Sequence, residues 1–165
     1  MATATLPNAT ETHDVFPING TDYVEFYVGN AKQSALYYQS AFGYQLVGYR
    51  GPETGVRDKV SYLLAQGKIR LVLTSALGPE GPIAEHVNTH GDGVRDIAMW
   101  VDDARDAYAK AVERGARSVQ EPKVLKDDNG EVVTAAIGIY GDTIHSLVER
   151  RKYKGLFMPG FVPRK

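Results

Sequence analysis

Apolar positions along the chain change period in a fixed order, and the order then recurs. Residues 23–28 (Tyr-Val-Glu-Phe-Tyr-Val) are aromatic and β-branched, the composition of a strand. Gly29 and Asn30 follow, and Asn30 is a good helix N-cap. Ala31, Ala35, Tyr38 and Phe42 then fall at i, i+4, i+7 and i+11, one face of a helix. Gly43 stands where a helix commonly ends. Strand composition returns at 44–49, 60–65 and 69–74, with a polar loop at 51–55 and a tight turn at Gln66-Gly67. In the last run Ile69, Leu71 and Leu73 alternate with Arg70, as in a half-buried strand. The predicted order is β-α-β-β-β.

The same order returns downstream. Residues 95–101 predict a strand, Asp102-Asp103 a cap, and Ala104, Tyr108 and Ala111 the apolar face of a second helix. Gly115 closes it, 116–119 predict a short strand, and 131–140 and 143–150 predict a hairpin around Gly141-Asp142. Caps, helix faces and closing glycines repeat at an offset of about 73 residues, the signature of an internal duplication. The pattern therefore predicts an α+β fold of two βαβββ modules, about 22–76 and 93–150, within a paired domain spanning 19–150. A turn-rich stretch, 77–82, and a short helix at 83–88 join the modules. Residues 1–18, rich in Ala, Thr and Asn, predict a flexible arm. Residues 151–165 turn basic and then Pro/Gly-rich, and predict a linker leading onward.

Composition narrows the function. The chain has 165 residues, 43% of them hydrophobic, enough for a sizeable core in one domain or two small modules. Its 19 basic and 20 acidic residues give a net charge of -1, which leaves no electrostatic footprint for nucleic acid or an acidic membrane. No apolar run approaches bilayer length, and the start lacks a signal-peptide pattern. The expected compartment is the cytoplasm, so the sequons at Asn8 and Asn19 read as chance matches. The absence of cysteine excludes disulfides, thiolate metal sites and a cysteine nucleophile.

Isolated motifs are weak. His86 and His90 are four apart, the spacing of two ligands on one helix face, with Glu85 adjacent. No Glu lies between them as in a zinc-protease helix, and Gly91 follows, so the pair reads as a solvated helix end. His145 reads as a half-buried strand residue, and His13 lies in the arm. Gly91-Asp92-Gly93 reads as a turn rather than a phosphate loop. Asp127-Asp128-Asn129-Gly130 lacks the later positions of a calcium loop and reads as a hairpin turn.

Paired βαβββ modules are the plan of the vicinal-oxygen-chelate superfamily (glyoxalase, bleomycin resistance and dihydroxybiphenyl dioxygenase), which the chain resembles. More closely, VGNAKQSALYYQSAFGYQLVGYRGPETG (28–55), LVLTS (71–75), HVNTHGDGVRDIAMWVDDARDAYAKAVERGARSV (86–119) and YKGLFMPGF (153–161) resemble the 4-hydroxyphenylpyruvate dioxygenase family. The resemblance implies two such domains in a complete protein, a structural N-terminal one and a C-terminal one holding Fe(II). It places this chain as the N-terminal domain, its partner the missing C-terminal catalytic domain. Paired domains of this class often form homo-oligomers.

The resemblance also implies where metal ligands would stand: Phe26 on the first strand, Asp96 after Gly93-Val94-Arg95, and Ser146 ahead of Glu149-Arg150. Phe cannot ligate, a lone Ser hydroxyl is a poor ligand, and one Asp is not a site. A shift of one position would put Glu25 and His145 in place, but only if both strands shift, and the third partner would then be Arg95 or Ile97. No metal or cofactor is therefore expected on this chain, and no catalytic residue. Two alternatives remain: a stand-alone ligand-binding protein of the bleomycin-resistance type, with Phe26, Tyr62 and Trp100 as candidate cavity walls, or the N-terminal domain of a hydroxymandelate synthase. A small metalloenzyme of the glyoxalase or extradiol type would require metal in the concave cavity.

Overall fold

Two short polar side chains start the long helices as the pattern predicts. Asn30 accepts from the Gln33 amide at 3.0 Å, and Asp103 accepts from the amides of Arg105 and Asp106, both at 2.9 Å. A computed structural model describes residues 16–164, so His13, Asn8 and most of the predicted arm lie outside the described residues.

In chain order the elements are β1 (Ile18–Tyr27), α1 (Ala31–Phe42), β2 (Gln45–Arg50), a 3-10 turn (Pro52–Thr54), β3 (Lys59–Gln66) and β4 (Ile69–Ala76). Then come α2 (Pro82–His90), β5 (Gly93–Val101), α3 (Ala104–Glu113), β6 (Arg117–Asp127), β7 (Gly130–Gly138), β8 (Ile144–Glu149) and β9 (Val162–Pro163). The two predicted modules are β1–β4 and β5–β8. Their strands form one sheet in the order β6-β7-β8-β5-β1-β4-β3-β2-β9. The modules join through their first strands, since β1 and β5 pair antiparallel with Glu25 opposite Asp96.

α1 and α3 each cover the outer face of their own module. Ala31 and Ala35 of α1 pack on Leu64, Leu71 and Leu73, with Phe26, Tyr38 and Tyr62 at the margin of that cluster. Ala104 and Ala107 of α3 pack on Val101, Val133 and Leu147. The small helix residues let the backbone approach the sheet closely.

The inner face carries the shared core. Tyr23, Leu63, Val72, Ala98, Val132 and Val148, from β1, β3, β4, β5, β7 and β8, cluster with Phe157, Met158 and Phe161. On a flat sheet β3 and β7, five steps apart, would stand roughly 24 Å from each other. They share one cluster because the sheet curls around the segment after β8.

Two elements differ from the pattern's expectation. β6 runs to Asp127 instead of ending at 119, because Pro122 falls at a register shift between Gln120 and Lys123. β6 is an edge strand, where a missing amide is tolerated. The second difference is the tail, which reads as a linker by composition but folds back over the inner face. Phe157, Met158 and Phe161 are buried, Phe157 packs edge-on against Tyr23 at 5.3 Å, and the Arg50 guanidinium lies 4.7 Å over the Phe161 ring. β9 then extends the edge at β2, with Tyr49 opposite Val162. Gly130 permits the docking: its φ is +122°, and a Cβ there would lie 2.0 Å from the Lys152 carbonyl oxygen.

Candidate functional site

Strand alternation decides which side chains meet on the inner face. On β1 the inward positions include Tyr23 and Glu25, and the outward ones include Val24 and Phe26. Asp96 on β5 and Ser146 on β8 point inward beside them. Asp96 Oδ1 accepts from the Ser146 amide at 2.9 Å, while Oδ2 accepts from the Ser146 hydroxyl at 2.6 Å and from the Tyr23 hydroxyl at 3.0 Å. Glu25 Oε1 accepts from the Thr74 hydroxyl at 2.6 Å, and Thr74 Oγ1 lies 2.8 Å from Ser61 Oγ. The result is a polar cluster of Tyr23, Ser61, Thr74, Asp96 and Ser146, all buried, with the half-buried Glu25 at its edge.

Its electrostatics favour neutral acids. Burial pushes the Glu25 carboxyl above its ordinary range, and the Asp96 charge on the neighbouring strand adds to that, against the Thr74 hydrogen bond. Burial raises Asp96 too, partly offset by the hydrogen bonds from Ser146 and Tyr23. Tyr23 is raised well above its usual value, first by burial and then by the Asp96 charge.

Of the three positions where ligands were sought, the structure brings Asp96 and Ser146 together and leaves Phe26 apart. Phe26 sits on the helix side, 6.1 Å from the Tyr38 ring, and Glu25 holds the inward place. The correction follows from burial on both faces of β1: its outer face lies under α1, so an apolar residue there says nothing about the cavity. The three candidate cavity walls do not converge either. Tyr62 packs on Tyr49 at 5.3 Å, at the margin of the cluster under α1, and Trp100 is 40% exposed beside Asp22 and Arg150.

The inner cluster does not fit an iron site of the two-His-one-carboxylate kind. It holds no imidazole, and Asp96 already accepts three hydrogen bonds. His145 is turned toward the backbone, with Nδ1 2.7 Å from the Ile97 carbonyl oxygen. Phe157, Met158 and Phe161 of the tail pack against Tyr23 and the other inward residues of the shared core.

A second group of ligating side chains lies elsewhere. His86 and His90 of α2 approach Asp142, on the turn between β7 and β8, with His90 Nε2 2.8 Å from Asp142 Oδ2. The pattern missed Asp142 because nothing in sequence spacing links it to a helix end about fifty residues upstream. Glu25 entered the sequence reading only as a one-position shift of register, and Tyr23, Ser61 and Thr74 were missed because polar residues scattered over three strands form no motif.

Two curled βαβββ modules paired through their first strands, with helices outside, define the vicinal-oxygen-chelate class of α+β proteins. Residues 13–158 match the family model described as "Hydroxyphenylpyruvate dioxygenase, HPPD, N-terminal", and the chain belongs to that family. It is 43% identical over 155 residues to 4-hydroxyphenylpyruvate dioxygenase of Yarrowia lipolytica, covering 92% of this chain and 39% of that protein. It is 46% identical over 146 residues to the Dictyostelium discoideum protein of the same name, covering 87% and 40%. The chain thus spans about two-fifths of the length of these relatives. Among solved structures, a mutant of 4-hydroxymandelate synthase from Streptomyces coelicolor superposes with a TM-score of 0.81 at 29% identity, over 90% of this chain and 42% of that one. Methylmalonyl-CoA epimerase from Mycobacterium tuberculosis shares the fold, with a TM-score of 0.65 at 20% identity, over 86% of this chain and 93% of that one.

Proposed function

We propose that this chain is the non-catalytic N-terminal domain of a 4-hydroxyphenylpyruvate dioxygenase. In that reading the complete enzyme converts 4-hydroxyphenylpyruvate and oxygen to homogentisate and carbon dioxide, with Fe(II) held by a C-terminal domain. This domain supplies scaffold and contacts, to the catalytic domain and within a homo-oligomer. The observation that carries the reading is the state of the concave face. Where this class places metal ligands, Asp96 is engaged in three hydrogen bonds from Ser146 and Tyr23, and Phe157, Met158 and Phe161 of the tail join the inner core. A stand-alone ligand-binding role needs one cavity that gathers its aromatic walls, whereas Phe26, Tyr62 and Trp100 line three separate hollows. Dioxygenase is favoured over hydroxymandelate synthase by the 43% and 46% identities to dioxygenases, against 29% to the synthase.

A cytoplasmic setting is part of the proposal. Among the described residues no helix is long and apolar enough to cross a membrane.

The test is turnover. The purified chain, given Fe(II), ascorbate, oxygen and 4-hydroxyphenylpyruvate, is expected to consume no oxygen above the protein-free rate and to form no homogentisate. Homogentisate formation by this chain alone, abolished in Asp96→Asn, would place the chemistry on the concave face and overturn the reading.

A further inference from the structure

Away from the concave face, three side chains converge where the sheet gives way to α2. His86 and His90 lie one helical turn apart, with ring centroids 4.9 Å from each other. Asp142 reaches them from the β7–β8 turn, and one ligand atom from each of the three residues lies within 4.8 Å of the others.

His86 distinguishes this group from a chance surface cluster. It is only 9% exposed, and neither of its ring nitrogens has a hydrogen-bond partner. Leaving a buried polar atom unsatisfied costs about 1–3 kcal/mol, and natural folds rarely leave one without a reason. The ring is held in place, edge-on to Tyr27 at 5.4 Å and beside Gly93, whose missing Cβ would stand 3.8 Å from Nε2. His86 lines a hollow with Pro82, Glu85, Thr89, Arg95 and Asp142.

We propose that His86, His90 and Asp142 form a binding site for a divalent transition metal ion, with zinc as the best match. Two imidazoles and one carboxylate suit Zn(II) and its neighbours better than Mg(II) or Ca(II), which prefer all-oxygen sets. Three protein ligands leave a fourth position for water. Binding satisfies one orphaned nitrogen of His86 and replaces the His90–Asp142 hydrogen bond with a shared ion. The ion joins the end of α2, in the connection between the modules, to the β7–β8 turn of the second module. Arg95, which donates to the Asp142 backbone carbonyl, sets a limit on affinity, because its charge repels a dication while Glu85 and Asp142 attract it. The site is independent of any role of the domain in a larger enzyme, and it lies apart from the positions that ligate in this fold class.

The experiment is calorimetric titration of ZnCl2 into the chelator-treated chain, paired with thermal melts. One ion per chain is expected, with a melting temperature that rises with zinc and is unmoved by equimolar Mg(II). His90→Ala and Asp142→Asn alter exposed positions and should leave the circular dichroism spectrum unchanged, so they carry the test; each should weaken binding by roughly tenfold or more. His86→Ala should do the same, and Co(II) should give visible absorption bands in the parent chain that are lost in all three variants. Absence of one-to-one binding, or zinc binding unchanged in both His90→Ala and Asp142→Asn, overturns the proposal. Neither result bears on turnover, so this site and the domain's role fail or stand separately.

Discussion

Glu25 is held where its neutral form is favoured, and that has a defined consequence for stability. For a carboxyl whose folded pKa is raised, the folded state keeps its proton to higher pH than the unfolded chain. The stabilisation is then fully present below the ordinary carboxylate range. It falls as pH rises from about 4.5, the ordinary value, through the raised folded value. Glu25→Gln removes this dependence, while the Gln carbonyl can still accept from Thr74. Its melting temperature should match the parent's at the acid end and exceed it progressively toward neutral pH. An offset that does not vary with pH, or a variant less stable at pH 7, would show that burial does not strain this carboxyl. The residue scale is also where sequence was least legible. The run Tyr23 to Val28 carries aromatic side chains on both faces, because α1 covers one and the inner core lies on the other, so Glu25 alone marks its phase. Asp96 and Ser146 were identifiable because a resemblance fixed their places, whereas the choice between Phe26 and Glu25 for the inward place needed the fold.

The helices were legible element by element, because caps, apolar faces and closing glycines are local signals. The tail was not, because Pro and Gly mark both free linkers and segments that must turn sharply to dock. Its burial makes it part of the core, and two substitutions measure this. Phe157→Ala should cost about 3–5 kcal/mol, the usual range for truncating a buried aromatic. Gly130→Ala should cost about 1–3 kcal/mol, since its left-handed φ and the nearby Lys152 carbonyl both oppose a Cβ. Val162→Ala, 42% exposed in β9, should stay within about 0.5 kcal/mol and serves as the control. Urea denaturation reads all three. A Phe157→Ala cost as small as the control's would mean that the tail lies on the domain without supporting it.

At the scale of the whole molecule the duplication is visible in sequence and the joint between the copies is not. The joint consists of contacts between distant residues: Tyr23 with Asp96, the β1–β5 pairing, and Asp22 with Arg150, whose Nε lies 2.5 Å from Oδ2. The Asp22 side chain is 1% exposed and that of Arg150 16%, so this part-buried ion pair ties the start of the first module to the end of the second. The inner core draws on both modules and on the tail. Neither module can open without exposing the other's core face, so the two should unfold together despite their duplicate origin. Trp100, the sole tryptophan, sits on β5 and reports the second module and the joint. Far-UV circular dichroism reports the strands and helices of both. In urea the two signals should give one coincident transition, as expected for a single cooperative unit of this size. Two separated transitions, with the fluorescence change complete while half of the ellipticity remains, would show that each module keeps a core of its own. In that case the shared cluster and the Asp22–Arg150 pair would only align the modules, without making their stability common.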